Sequence, residues 1–307
     1  MKPSTMIKKG FKFLFNRRYR IEHLAMHGRL DYLSDEKYLK KLFYAKMGKK
    51  LNLDDPKTYS EKLQWLKLND RRPEYTTMVD KIEVKKYVAE KIGEQYIIPN
   101  IGVWDNPDDI NFDEFPDKFV IKCNHNSGKG MAICKDRSTF NVAKARAELK
   151  EGLKQDYYLP MREWPYKDVK RRVLAEVYME DQKTAELRDY KFFCFGGEAK
   201  MLFIASDRQT KGEETKFDFF DMDYNLLPFT NGHPNSKVQP EKPECFDEMR
   251  MLAEKLADGI PQVRVDFYEV NGKVYFGEMT FFHWSGMVPF EPEEWDYKIG
   301  EWLDITR

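Results

Sequence analysis

Two stretches of this chain hold residues whose types and spacing could do chemistry together. The first is FVIKCNHNSGKGMAICK, residues 119–135: a hydrophobic run ending in Lys122, a small polar loop with Gly128, Lys129 and Gly130, and a second hydrophobic run. A strand–loop–strand of this kind can converge backbone N–H groups on a phosphate while a lysine supplies charge. The same residues equally suit the permissive turn of a plain hairpin. The loop has neither GxxxxGK[ST] nor a GxGxxG that opens a helix, so the stretch alone leaves both readings open.

The second is QVRVDFYEVNGKVYFGEMT, residues 262–280, where Asn271-Gly272 signals a hairpin turn. Side chains alternate across a sheet, so register decides what meets what. A two-residue loop would put Asp266 and Glu278 on opposite faces. A three-residue loop with Gly272 left-handed pairs Glu269 with Lys273 and Arg264 with Glu278. Arg264, Asp266, Glu278 and Thr280 then share one face, and Val263, Val265, Phe267, Tyr275 and Met279 take the other. The alternation favours this second register. Two carboxylates, an arginine and a hydroxyl suit an oxygen-liganded Mg²⁺ beside an anion; a solvated Arg264–Glu278 ion pair would use the same residues. The segment that follows, FFHWSGMVPF, with His283, Ser285 and Gly286, is aromatic for a solvated turn and reads as a pocket wall.

The elements that must position these stretches are mixed. Residues 1–75 read mostly helical, with Thr58 or Ser60 as cap for a helix carrying Leu63, Trp65 and Leu66. MVDKIEVKKYVAEKIG continues the helical pattern to Gly93, a C-cap candidate. YIIPNIGVW is extended, and DNPDDINFDEFPDKF is an acidic connector. KFVIKC, MAICK, RRVLAEVYM, DYKFFCF, KMLFIAS and KFDFFDMD read as strands; KARAELKEGLK, residues 241–258 and EEWDYKIGEWL read as helices. Without regular βαβ alternation, the class expected is α+β.

Composition narrows the function. A chain of 307 residues has room for a sizeable core and two or three domains. An aromatic content of 15% argues against disorder, and zero formal net charge offers no global field for nucleic acid. Residues 1–50 nevertheless carry 14 Lys and Arg against 4 Asp and Glu. There IKKGFKFLFNRRYR mixes charge with Phe11, Phe13, Leu14 and Phe15, as a docked helical arm or a patch for an anionic membrane face would. Arg17, Arg18 and Arg20 interrupt any signal-peptide core, and no run approaches the ~20 apolar residues of a spanning helix. Cys123, Cys134, Cys194 and Cys245 form no CxxC pair and sit mostly in apolar runs, as buried free thiols in a reducing cytoplasm would.

Taken in order, the β-loop-β with its strand-end lysine, the strand VLAEVYM and the VRVD…GEMT hairpin resemble the ATP-grasp superfamily. LNLDDPKTYSEKLQWLKL, VDKIEVKKYV, FVIKCNHNSG, REWPYKDVKRR, DYKFFCFGG, VRVDFYEVNGKVYFGEMTF and EEWDYKIGEWL resemble its TupA-like family, associated with teichuronopeptide and capsular polysaccharide synthesis, over about residues 40–304. The resemblance implies two α+β subdomains clasping ATP behind a helical N-terminal region, with divisions at 1–75, 76–179 and 180–307. It implies that Lys81 and Lys122 hold phosphates under the loop residues His125, Asn126, Ser127 and Gly128. Glu176, Val177, Tyr178 and Met179 would receive adenine, and Asp189, with Glu180 and Asp181 as rivals, the ribose. Lys191 and Arg208 would meet the γ-phosphate or substrate. Asp266, Glu278 and Thr280 would bind Mg²⁺, and Arg264 would steady an acyl phosphate. Thr280 stands where the superfamily usually has Asn, Asn126 where related loops often carry Gly, and the helical N-terminal region where a Rossmann-like domain is common.

The activity so implied is an ADP-forming carboxylate–amine ligase that joins an amino acid or other amine to a uronic acid of a cell-surface glycan or its precursor. Such catalysis is positioning and charge stabilisation, so it needs no Ser or Cys nucleophile. A kinase acting on a sugar hydroxyl and a non-catalytic nucleotide- or glycan-binding module are the alternatives. A glycosyltransferase is disfavoured, because no DxD motif sits at a strand end.

Overall fold

The N-terminal helices begin and end where local side chains satisfy orphan backbone groups. In the computed structural model, which describes residues 12–182, 187–206 and 214–306, helix α1 (Arg17–Met26) is capped by Asn16 and α2 (Asp35–Met47) closes at left-handed Gly48. Helix α3 (Tyr59–Asn69) opens with a capping box: Thr58 accepts from Glu61 N, and the Glu61 carboxylate accepts from Thr58 N. The single helix expected over MVDKIEVKKYVAEKIG is two, α4 (Glu74–Val79) and α5 (Val84–Ile92), the second ending at Gly93 as expected. Asp80 interrupts them by accepting from Ile82 N at 2.8 Å, a local turn that competes with the helix. The break takes Lys81 off any helix surface.

Strands β1 (Asn100–Trp104), β2 (Phe119–Cys123), β3 (Met131–Cys134) and, beyond helix α6 (Val142–Leu153), β4 (Val173–Val177) form an antiparallel sheet in the order β1-β4-β2-β3. Phe119, Ile121 and Cys123 turn into a small core with Leu149 of α6, Val173 and Ala175. Val120 pairs with Glu176 and Lys122 with Leu174. Lys122 and Glu176 therefore share the face turned away from that core.

A second antiparallel sheet carries β5 (Asp189–Phe195), β6 (Glu198–Ser206) and β7 (Lys216–Asp221); the short strand β8 (Thr230–Asn231) and helix α7 (Phe246–Ala257) follow. With β9 (Gln262–Val270) and β10 (Lys273–Thr280) its order is β10-β9-β5-β6-β7, while β11 (Phe290–Glu291) pairs with β8 and α8 (Glu294–Trp302) packs on α3. Helix α7 covers the apolar face, Phe246 meeting Phe192. Lys191 stands opposite Asp266, and Phe193 opposite Arg264, on the other face. Tyr38, Leu39, Leu42 and Phe43 of α2 form a third core that reaches Met287. The class is α+β with a helical N-terminal region. All four cysteines are free thiols. No described helix is long and apolar enough to cross a membrane.

The β9–β10 hairpin departs from the expected register. Asn271 (φ 52°) and Gly272 (φ 73°) are both left-handed and make a two-residue turn, with Val270 opposite Lys273 and Glu269 opposite Val274. That register alone would separate Asp266 from Glu278. A bulge at Gly277 intervenes: Phe276 pairs with Phe267, but Glu278 pairs with Asp266 and Thr280 with Arg264. The extra residue turns the end of β10 over, so the four polar residues share a face after all. Tyr275, expected on the apolar side, pairs with Tyr268 on the polar side, and Val274 and Phe276 enter the core. A Cβ at Gly277 would lie 3.0 Å from Asp266 O and 3.2 Å from the Tyr268 ring, so a side chain there would crowd the bulge.

Candidate functional site

The residues expected to hold phosphate are built on the small sheet. Lys122 Nζ lies 2.5 Å from Glu176 Oε2, and Lys85 Nζ 2.5 Å from Glu176 Oε1. Burial raises the Glu176 carboxyl, but Lys122 and Lys85 outweigh it and hold the group below its ordinary range. Lys81, freed by the Asp80 turn, donates from Nζ to Asn126 O at 3.0 Å and lies 3.8 Å from Glu278. The loop of residues 124–130 divides its labour. The His125 ring meets Gln155 O at 3.1 Å, and Asn126 Nδ2 donates to Gly152 O at 3.2 Å. Asn126 thereby anchors the loop to the last turn of α6, and one ring nitrogen of His125 anchors it to the segment beyond. Ser127, Gly128 and Lys129 stay exposed, with Gly128 left-handed at φ 79°.

The residues expected to hold the metal form a cross-linked set of charges. Arg264 Nε donates to Asp266 Oδ1 and its Nη2 to Asp266 Oδ2, each at 2.7 Å. The same Nη2 reaches Glu278 Oε1 at 3.1 Å and Thr280 Oγ1 at 3.0 Å. Lys191 pairs with Asp266 directly and with Asp189 at 3.4 Å. Behind Arg264, His283 Nδ1 accepts from Nη1 at 3.0 Å, while its Nε2 donates to Asn231 Oδ1 at 3.0 Å. Burial, with Arg264 and Lys191 nearby, pushes His283 well below the usual histidine range, so it stays neutral and fixes the guanidinium. Burial raises Glu278, yet Lys81, Lys191, Arg264 and Lys122 hold it down at about 2. Asp266 and Glu278, with Thr280 beside them, are the oxygen donors that a hard divalent cation takes, and both Asp266 oxygens are engaged here by Arg264 and Lys191. Among the described residues no group of three or more His, Cys, Asp or Glu gathers as a metal cage.

The two sets meet in a cavity of about 520 Å³ lined by Lys81, Ser127, Lys191, Arg264, Glu278 and Thr280. The segment read as a pocket wall is one: Phe282, His283, Trp284, Ser285, Met287 and Val288 line it. Asp266 and Asp189 are buried behind the wall, and Lys122 with Glu176, Val177, Tyr178 and Met179 lies outside this lining, on the small sheet and just beyond its β4. Of the ribose rivals, Glu180 pairs with Lys118 and Asp181 accepts from Asn271 N. Arg208 lies outside the described residues. Sequence reasoning missed Lys85, Lys46 of α2, Tyr157, Tyr166 and Glu163. REWPYKD held two of these, but nothing in its spacing marks which side chains face a cavity.

A family model described as TupA-like ATPgrasp matches residues 61–304. No curated relative matches the chain. Among solved structures, D-alanine-D-alanine ligase from Helicobacter pylori aligns at 14% identity and TM-score 0.43, over 80% of this chain and 69% of that one. L-amino acid ligase from Bacillus licheniformis aligns at 11% and 0.44, over 89% and 57%. ATP-grasp ligase PsnB, complexed with minimal precursor, Mg and ADP, aligns at 9% and 0.39, over 72% and 57%. The chain thus spans little more than half the length of the last two. The family match takes in both hairpins and most of the chain between and around them, and the chain belongs to the TupA-like ATP-grasp family.

Proposed function

We propose that this protein is an ATP-dependent, ADP-forming carboxylate–amine ligase that joins an amine, such as an amino acid, to a uronic acid of a surface glycan or its precursor. One observation carries the reading: a single cavity joins the loop serine and Lys81 to the Arg264–Glu278–Thr280 face. Lys81, Lys122 and the loop amides would balance triphosphate charge, with adenine against Glu176, Val177, Tyr178 and Met179 and ribose near Asp189. Mg²⁺ held by Asp266 and Glu278, with Thr280 beside them, would supply charge neutralisation at the phosphates. A substrate carboxylate oxygen attacks the γ-phosphorus and ADP leaves; the amine nitrogen then attacks the acyl carbon, loses a proton, and phosphate departs. Arg264, oriented by Asp266 and His283, steadies the acyl phosphate. Closure of the loop around Ser127 and Gly128 keeps water from it.

The test incubates the protein with ATP, Mg²⁺, a panel of uronic acids and hydroxylamine. ADP with a hydroxamate supports the ligase; a stable phosphosugar, or AMP with pyrophosphate, overturns it. Exposed Leu14 and Phe15 in the basic N-terminal region also fit attachment to an anionic membrane face. Co-sedimentation with phosphatidylglycerol vesicles, lost in Leu14→Asp, tests that; equal sedimentation of the variant refutes it.

A further inference from the structure

One carboxylate on the cavity wall has no part in the chemistry above. Glu163 is 8% exposed and lines the cavity. Its Oε1 accepts from Ser285 Oγ, while Oε2 has no hydrogen-bond or ion-pair partner among the described residues and is open to the cavity. Of the carboxylates on the wall, Glu278 is tied to Arg264 and lies near Lys81; Glu163 makes no such pair.

The presentation of this carboxylate is rigid. Arg162, just before it, is left-handed at φ 54° and clamped, its guanidinium 4.1 Å above the Tyr38 ring. Across the cavity wall, Trp284 (φ 48°) and Ser285 (φ 58°) are also left-handed. Non-glycine residues hold that conformation only when their surroundings over-determine it, and such residues cluster at ligand sites. Here the determinants are Gln64 Nε2 and Lys67 Nζ of α3, each donating to Ser285 O at 2.9 Å. Lys67 is fully buried, has Gln64 Oε1, Met161 O and Ser285 Oγ as further acceptors around its three protons, and supplies positive charge behind Glu163 without touching it. Tyr157, Tyr166 and Trp284 line the same cavity as the open oxygen, with the two tyrosine rings 4.6 Å apart. A carboxylate among aromatic faces is the chemistry that receives an organic cation. The Arg264 wall, with Lys81 and Lys191, is the chemistry that receives anions.

We propose that Glu163, held by Ser285 in a cavity also lined by Tyr157, Tyr166 and Trp284, binds the ammonium group of the amine substrate beside the Arg264 wall. This rests on the ligase reading. The test titrates the full-length protein, saturated with Mg²⁺ and a non-hydrolysable ATP analogue, with each of the twenty L-amino acids and their N-acetyl forms by calorimetry. At least one free amino acid should bind and its N-acetyl form should not. Glu163→Gln should weaken that binding at least tenfold and Trp284→Ala about threefold, with analogue affinity unchanged in both. Equal binding of the acetylated form, undiminished binding in both variants, or no amino-acid binding at all would each overturn the proposal. Hydroxylamine needs no ammonium site, so the two readings fail separately. Hydroxamate formation by a protein that binds no amino acid refutes only the amine site; absent hydroxamate refutes the ligase.

Discussion

The β2–β3 and β9–β10 hairpins are both antiparallel, and both set site residues on a polar face, yet they hold charge in opposite ways. The first places its chemistry at the turn. Its strand-end lysine leans on Glu176, its anchors His125 and Asn126 are buried, and Ser127, Gly128 and Lys129 are left exposed. The second places its chemistry at the end far from the turn, where Lys191, Asp266, Arg264, Glu278 and Thr280 are tied to one another. Under the proposed function, a loop that closes over phosphate needs few fixed contacts, whereas a face that holds metal and acyl phosphate needs charges that do not reorganise during the reaction.

The sharpest way to break that contrast is to remove one charge from each. Asp266→Asn leaves Arg264 and Lys191 under-compensated in a buried setting. It should abolish ADP release and lower stability by about 3–5 kcal/mol in urea unfolding. Lys122→Ala should raise the KM for ATP roughly 10- to 100-fold, the worth of a hydrogen bond to a charged group. Its stability should fall by under about 1 kcal/mol, because the side chain is part-exposed and Lys85 remains on Glu176. Equal destabilisation by the two would erase the distinction.

The glycines sharpen it further. Gly277→Ala must push its Cβ against Asp266 O and the Tyr268 ring. It should cost about 1–3 kcal/mol and slow turnover through a displaced Glu278. A methyl group at Gly128 would meet nothing within 4 Å, but the residue is left-handed. Gly128→Ala should cost about 1 kcal/mol and change the KM for ATP more than the melting temperature. The smallest effect is on pH. Each hairpin face has one buried neutral histidine, His125 lowered and His283 lowered further, both chiefly by burial. Below pH 6.5 the unfolded chain takes up protons that these folded rings refuse, so stability falls as pH drops. The loss is about 0.7 kcal/mol between pH 7 and 6 for His283, which stays neutral throughout, and smaller for His125. His283→Gln should flatten that slope more than His125→Gln; the reverse order would place the tighter environment on the wrong hairpin.

Much of this architecture is legible in the sequence. The Thr58 cap, the Asn271-Gly272 turn, the Gly93 cap and the strand patterns depend on neighbours a few residues apart, and periodicity records them. Two local expectations fail, one where a bulge intervenes and one where a side chain competes with the helix backbone. The three-residue turn is the simplest way to bring Asp266 and Glu278 to one face, but the chain takes the two-residue turn and corrects the face with a bulge at Gly277. The continuous helix through Val79–Val84 breaks at Asp80, whose carboxylate also reaches Arg172 at 3.4 Å.

By itself the sequence determined which chemistry was on hand: a lysine at a strand end, a glycine-bearing loop, two carboxylates and an arginine near a turn, and an aromatic segment after them. These are properties of single residues and of short spacings. The tertiary structure alone decided that Lys85 joins Lys122 on Glu176, that the Asp80 turn sends Lys81 to the loop, and that Glu163 meets Ser285 from 122 residues away. Contacts across such separations are chosen by packing of whole elements, and no local pattern carries their free energy.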